Sequence, residues 1–265
     1  MKTAIFGVGM MGEALLGGLV KAGWDPATIR AIDAQPGRTE QIAEKYALPL
    51  ASPVEAVQGA SAVIIVVKPN NVVELLEELG PMLDPGCLVI SLAVGLSTAT
   101  LEAPLPAGHP VVRAMPNTAC MVGEGMTLLS AGAAATPDHL ALAERIMAAV
   151  GRVKVIPEKS MDAAGAISGC GPAYVMYVAE SLIDAGVLLG LPRATATELA
   201  RQTMFGCGKL LASSDEHPTR LKEMVVSPGG TTAAALRALE DRAVKAAFVD
   251  AVEAAALRSA ELGQA

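Results

Sequence analysis

The chain has 265 residues, 27 Asp and Glu against 20 Lys and Arg, a net charge of −7, 52% apolar residues and only 3% aromatics. That length can bury a full core and hold two domains, or one domain with a helical extension. The acidic balance and the lack of a basic stripe with interleaved aromatics argue against nucleic-acid binding. The longest uncharged runs, residues 86–101 and 163–179, are broken by Gly, Pro, Ser and Thr, which argues against a membrane span.

In chain order, an apolar strand over residues 3–6 runs at once into Gly7-Val8-Gly9-Met10-Met11-Gly12, which opens a helix over 10–22. In a G-x-G-x-x-G turn the first glycine allows the tight turn and the second lets the backbone approach a pyrophosphate. The third lets helix pack closely on strand. With strand and turn starting directly after Met1-Lys2, the segment does not read as a signal peptide, so a cytoplasmic protein is expected. A second strand over 29–32 ends at Asp33, where a carboxylate would bind the adenosine ribose hydroxyls of NADH. Arg38, opening a helix over 38–46, is the alternative reader, for the 2′-phosphate of NADPH.

Residues 62–67, 88–92 and 111–114 are continuous Val/Ile/Leu-rich runs, the mark of strands buried on both faces of a parallel sheet. Helices are expected between them over 72–79 and 98–101. Residues 126–130 and 153–156 flank a helix over 139–150 and add strands at one edge. Ligands of such sheets lie outside the carboxyl ends of the strands. Val67, Lys68 and Pro69, and likewise Ala93, Val94 and Gly95, are therefore expected to line a coenzyme cleft, with Asn117 and Thr118 near the nicotinamide.

After Pro157 the strand signals stop. Residues 161–167, 173–189, 193–211, 219–225, 231–239 and 244–262 all read as helix, with breaks at Gly190-Leu191-Pro192 and Ser213-Ser214-Asp215. The expected fold is α/β: a Rossmann-like, doubly wound dinucleotide-binding domain over 1–157, then an all-α domain over 158–265. Several of these helices are apolar nearly all round, so they must be buried in their own domain or against a second copy, as in an intertwined homodimer. Cys87, Cys120, Cys170 and Cys207 are scattered and read as reduced core residues. His109, His139 and His217 read as surface or loop residues, and no metal site is expected.

Val225-Val226-Ser227-Pro228-Gly229-Gly230-Thr231-Thr232 runs straight into an alanine-rich helical segment. A glycine pair at a helix N-terminus offers backbone N–H groups at the positive end of the dipole, suited to a carboxylate or phosphate.

Taken in order, the nucleotide turn, Val67-Lys68-Pro69, Met115-Pro116-Asn117-Thr118, Ser168-Gly169-Cys170-Gly171-Pro172-Ala173-Tyr174 and Ser227–Thr232 resemble Δ1-pyrroline-5-carboxylate reductases along essentially the whole chain. The resemblance implies NADPH- or NADH-dependent reduction of a cyclic imine to L-proline. It also implies dimers with interleaved helices, which assemble further into rings such as decamers. On this reading Ser227, Gly229, Gly230, Thr231 and Thr232 hold the substrate carboxylate, with Thr232 orienting it. Glu158 and Glu216 are further substrate candidates, and no residue is assigned as general acid. The chain departs from the family pattern at Cys170, Gly165, Pro53, Ala34 and Val226. Ala34 leaves out an arginine that often reads a 2′-phosphate, which leans toward NADH.

Two rivals share parts of this layout. β-Hydroxyacid dehydrogenases use a lysine on an interdomain helix, but no lysine occurs between Ser168 and Leu189. A non-catalytic dinucleotide-sensing dimer would have no use for the Ser227–Thr232 turn.

Overall fold

The computed structural model describes residues 1–263. The final two residues of the expected 158–265 domain, Gln264 and Ala265, lie outside the described residues. Seven strands form one sheet: β1 (Thr3–Phe6), β2 (Ile29–Ile32), β3 (Ala62–Ile65), β4 (Leu88–Ser91), β5 (Val111–Met115), β6 (Gly125–Ala131) and β7 (Gly151–Val155). Their order is β2-β1-β3-β4-β5-β6-β7, parallel throughout except where β6 runs antiparallel to β5. The two expected edge strands are thus β6 and β7. The order reverses between β1 and β3, and the loops leaving those strands flank the crevice where ligands of open sheets bind.

Alternation along the strands explains the continuous apolar runs. Ile5, Ile64 and Ile90 point to a core under α1 (Met10–Lys21), α2 (Arg38–Tyr46) and α6 (Pro137–Met147). Ala4, Phe6, Val63, Ile65 and Val89 point to a second core. It lies under α3 (Pro53–Val57), α4 (Val72–Leu79) and α5 (Thr98–Glu102). With both faces covered, a strand has no polar side to betray its period.

Several expectations need correction. Helix α3 was not foreseen. Ser52 caps it and Glu55 reaches back to the Ser52 N–H, a capping box, with Pro53 in the first turn where its missing N–H costs nothing. Strand β3 ends at Ile65 rather than 67: Val66 still donates its N–H to the Phe6 carbonyl (2.7 Å), but its own carbonyl lies against Gly7 of the turn. Cys87 and Cys120 are buried as expected, but Cys170 and Cys207 are exposed. His109 is buried, not a surface residue.

The chain divides into two compact units, one formed by Met1–Cys170 with the chain from Ala255 on, the other by Gly171–Ala254. In the first, α7 (Met161–Ser168) packs against β5 and β6, Met161 meeting Met115 and Leu128. Gly165 belongs to this contact. A Cβ there would meet the Met115 sulfur at 2.6 Å, so the methionine fills the space beside this glycine.

The second unit is helical: α8 (Gly171–Leu188), α9 (Arg193–Ala212), α10 (Pro218–Glu223), α11 (Thr231–Asp241) and the first turns of α12 (Val244–Leu262). Helices α8 and α9 meet closely where a Cβ on Gly186 would lie 3.0 Å from the Cβ of Ala196. Yet α8 contains no buried residue, and Met176, Tyr177, Leu182, Leu199 and Phe205 are all exposed. Apolar surface on this scale marks an interaction face. No described helix is long and apolar enough to cross a membrane.

Candidate active site

The glycine turn is built by close approach. Gly7 lies at φ +93°, and a Cβ there would sit 2.7 Å from the Val66 carbonyl oxygen, so only glycine brings β1 and the end of β3 this near. A Cβ on Gly12 would collide with the Gly7 carbonyl oxygen. At Gly9, by contrast, a Cβ would meet nothing within 4 Å. Gly9 is also the N-cap of α1 and offers no side-chain cap, so no capping side chain takes up the leading N–H groups of that helix. The first and third glycines are demanded by the protein's own packing. The second leaves room for a phosphate, so the turn fits a dinucleotide.

Asp33 and Arg38 converge on Val8, the second residue of the turn. The Asp33 carboxylate accepts from the Val8 N–H (2.7 Å) and from the Gln35 N–H (2.9 Å). Arg38 donates to the Val8 carbonyl through Nε (3.0 Å) and Nη2 (2.8 Å), and through Nη1 to Gln41 (2.6 Å). Its Nη2 also pairs with Glu13, whose other oxygen accepts from Lys45 Nζ at 2.6 Å. The Lys45 hydrogen bond is the main reason the Glu13 carboxyl is held below its ordinary range; burial works against it, and Arg38 adds to the lowering. Ala34 is exposed.

Beyond the switch point, Lys68 and Pro69 are exposed on the loop after β3, and Ala93 is buried with Val94 exposed after β4. Asn117 is half-buried and Thr118 exposed on the β5–β6 connection. The Asn117 amide donates to the Ser168 carbonyl (2.9 Å), and its oxygen accepts from the Ala119 and Met126 N–H groups (both 3.2 Å). It thus stitches the end of α7 to the loop it stands in.

Glu158 is engaged inside the first unit. Its carboxylate accepts from the Thr98 N–H and hydroxyl (both 2.6 Å) at the N-terminus of α5, and it pairs with Arg113 at 3.4 Å. Arg113 is a buried cation on β5. Sequence reasoning passed over it, although a charged residue inside Val-Val-Arg-Ala-Met was the available signal. Glu13 was missed as well, because its role appears only when α2 packs beside α1. Among the described residues no cluster of three or more His, Cys, Asp or Glu suits a metal ion.

The anion motif lies in the second unit. Pro228 and Gly229, the latter at φ +68°, form a turn closed by the Gly230 N–H on the Ser227 carbonyl at 3.0 Å. A Cβ on Gly230 would lie against the Ser227 hydroxyl, which would have to swing aside, whereas Gly229 needs glycine for its positive φ. Gly230 is the N-cap of α11 and supplies no side-chain cap, leaving the first N–H groups of Thr231 and Thr232 for another acceptor. Thr232 is half-buried, and Glu216 is exposed on the loop before α10.

The family model for pyrroline-5-carboxylate reductase dimerisation matches residues 158–262. Across 98% of both chains, the sequence is 39% identical to a pyrroline-5-carboxylate reductase of Corynebacterium melassecola. The chain belongs to the pyrroline-5-carboxylate reductase family. The model for NADP oxidoreductases, coenzyme F420-dependent, matches residues 2–95. Two solved pyrroline-5-carboxylate reductases have the same fold. That of Coxiella burnetii has a TM-score of 0.94 at 34% identity over 98% of each chain. That of Plasmodium falciparum, determined with NADP bound, has a TM-score of 0.87 at 34% identity over 99% of this chain and 98% of its own. The dimerisation model spans the helices whose apolar faces are exposed, so the chain self-associates through this region.

Proposed function

We propose that the chain catalyses the NAD(P)H-dependent reduction of 1-pyrroline-5-carboxylate to L-proline, the last step of proline biosynthesis. The observation that carries the reading is a pair of helix N-termini with no side-chain cap. One opens α1 behind a turn shaped for a pyrophosphate, and the other opens α11 behind a turn shaped for a carboxylate.

The bound NAD(P)H supplies the hydride. Gly7 to Gly12 cradle its phosphates, Asp33 takes the adenosine ribose, and Lys68, Ala93 to Gly95, Asn117 and Thr118 line its path. The N–H groups of Gly230, Thr231 and Thr232, with the Ser227 and Thr232 hydroxyls, grip the substrate carboxylate and fix the ring for attack. Glu158 and Glu216 are further substrate-binding candidates, Glu158 being held by Thr98 and Arg113 within the first unit. No general acid is assigned: the imine is protonated by water or before it binds. The dinucleotide domain is placed at 1–157 and the helical substrate and dimerisation domain at 158–265. The assembly is a dimer or a ring of dimers in the cytoplasm, with no nucleic-acid or membrane partner.

Oxidation of NADH and of NADPH is to be followed by absorbance with pyrroline-5-carboxylate as acceptor; no turnover with either coenzyme would falsify the reading. Thr232→Ala should raise the substrate KM about tenfold, the worth of a charge-assisted hydrogen bond. An unchanged KM removes the carboxylate role from this turn.

A further inference from the structure

The residues around Val8 also bear on which coenzyme the chain selects, an inference that rests on the reductase reading. NADPH differs from NADH by a 2′-phosphate, a group of about −1.5 to −2 charge at neutral pH that needs cations and donors. In this fold the adenosine ribose lies at the end of β2, beside the glycine turn. The group fixed there is the Asp33 carboxylate, locked by the Val8 and Gln35 N–H groups, and the adjoining Ala34 offers nothing positive.

Arg38 is close enough to serve, because it is bonded to the carbonyl of the same Val8 whose N–H binds Asp33. Four of its five N–H donors are engaged, however: Nε and Nη2 on Val8, Nη2 on Glu13 as well, and Nη1 on Gln41. Glu13 also takes Lys45, the other cation of α2 that reaches it. The N-terminus of α2 is itself disfavoured for a phosphate by Glu40 in its first turn. The charges of Asp33 and Glu13 therefore cancel those of Arg38 and Lys45, and this group carries no net positive charge.

We infer that Glu13, by holding Arg38 against the glycine turn, makes this chain select NADH over NADPH. Glu13 is a positioning residue for coenzyme choice: it touches no reacting atom, and it acts through the guanidinium. To bind NADPH, the chain must strip Arg38 from its carboxylate while the phosphate is also pushed away by Asp33. With hydrogen bonds to charged groups worth roughly a factor of ten or more each, NADH should bind at least about tenfold more tightly.

Isothermal titration calorimetry of the purified protein with NADH and with NADPH, without substrate, tests this apart from turnover. The Glu13→Gln variant should move the ratio of the two dissociation constants toward NADPH by at least about fivefold, since Arg38 is released. Arg38→Ala alone should leave the ratio within about twofold, because the arginine contributes nothing to phosphate recognition while it is paired. The double variant should lose the shift seen in Glu13→Gln. Equal or tighter binding of NADPH by the unaltered protein overturns the proposal, as does a Glu13→Gln ratio that does not move or a shift that survives in the double variant. Should Glu13→Gln fail to fold, Arg38→Ala still decides: a selective loss of NADPH affinity overturns the proposal, and an unchanged ratio supports it. A protein that binds neither dinucleotide would sink the reductase reading itself, a result distinct from the wrong preference.

Discussion

Every residue of β1 is buried, whereas α8, more than four times as long, buries none. The first unit closes two cores over its sheet from its own chain. The second leaves Tyr177, one of three Tyr in the sequence, and Phe205, one of three Phe, largely in water. Both units nevertheless present the same device, a glycine N-cap that leaves helix N–H groups for an anion. A rigid, self-sufficient scaffold and a partner-dependent one can thus carry equivalent binding turns. What differs is where the stability behind the turn comes from: internal packing in one unit, association in the other.

The largest effects should come from breaking the scaffold of the first turn. Gly9→Val should abolish NADH and NADPH binding, measured by calorimetry, while leaving the melting temperature nearly unchanged, since its side chain enters open space. Gly12→Val should abolish binding and also destabilise the fold, because the new side chain strikes the Gly7 carbonyl; overpacking of this kind costs about 1–3 kcal/mol or more. Equal melting temperatures for the two variants would contradict the division of labour between the glycines.

On the other side of the comparison, Phe205→Glu should convert the oligomer to monomer in light scattering while keeping the α-helical circular dichroism of the first unit. A charge on a self-associating apolar face is strongly unfavourable, by several kcal/mol when buried unpaired. Unaltered assembly would remove the α9 face from the interface.

Next in size is the ion pair of the buried Arg113 with the half-buried Glu158. Arg113→Ala should lower stability by about 1–2 kcal/mol in urea unfolding, less than the cost of breaking a fully buried pair. Glu158 keeps its Thr98 bonds, so the loss should stay below that of a fully orphaned charge.

The smallest effect concerns pH. Burial holds the His109 pKa below its ordinary 6.5 in the fold. The unfolded chain therefore binds a proton more readily, and stability should fall as pH drops below about 6.5. His109→Leu should flatten the melting temperature between pH 6.5 and 5, and an identical slope in the two proteins would clear His109 of any part in it.

Much of this was legible in the sequence, for a physical reason in each case. Strands covered on both faces are written as runs such as Val63-Ile64-Ile65, and the glycine turn and Ser227–Thr232 carry residues that only their backbone geometry requires. Short helix α3 was not read, because its five residues are too few to show a period and only the Ser52–Glu55 pair marks it. The Glu13–Arg38–Lys45 group and the Arg113–Glu158 pair were illegible because their members lie 25 to 45 positions apart. Nothing local distinguishes Glu13 from any solvated helix glutamate until α2 lies beside α1.

The double hold on Val8 has a kinetic meaning. Its N–H is taken by Asp33 and its carbonyl by Arg38, so both polar groups of a residue in the phosphate turn are satisfied before any nucleotide arrives. A loop without such anchors would have to be ordered on encounter, and that ordering costs affinity and slows association. Here the loop is preorganised. Coenzyme capture should therefore be a single-step event close to the encounter rate, and the slow motions of the cycle must be sought elsewhere in the molecule.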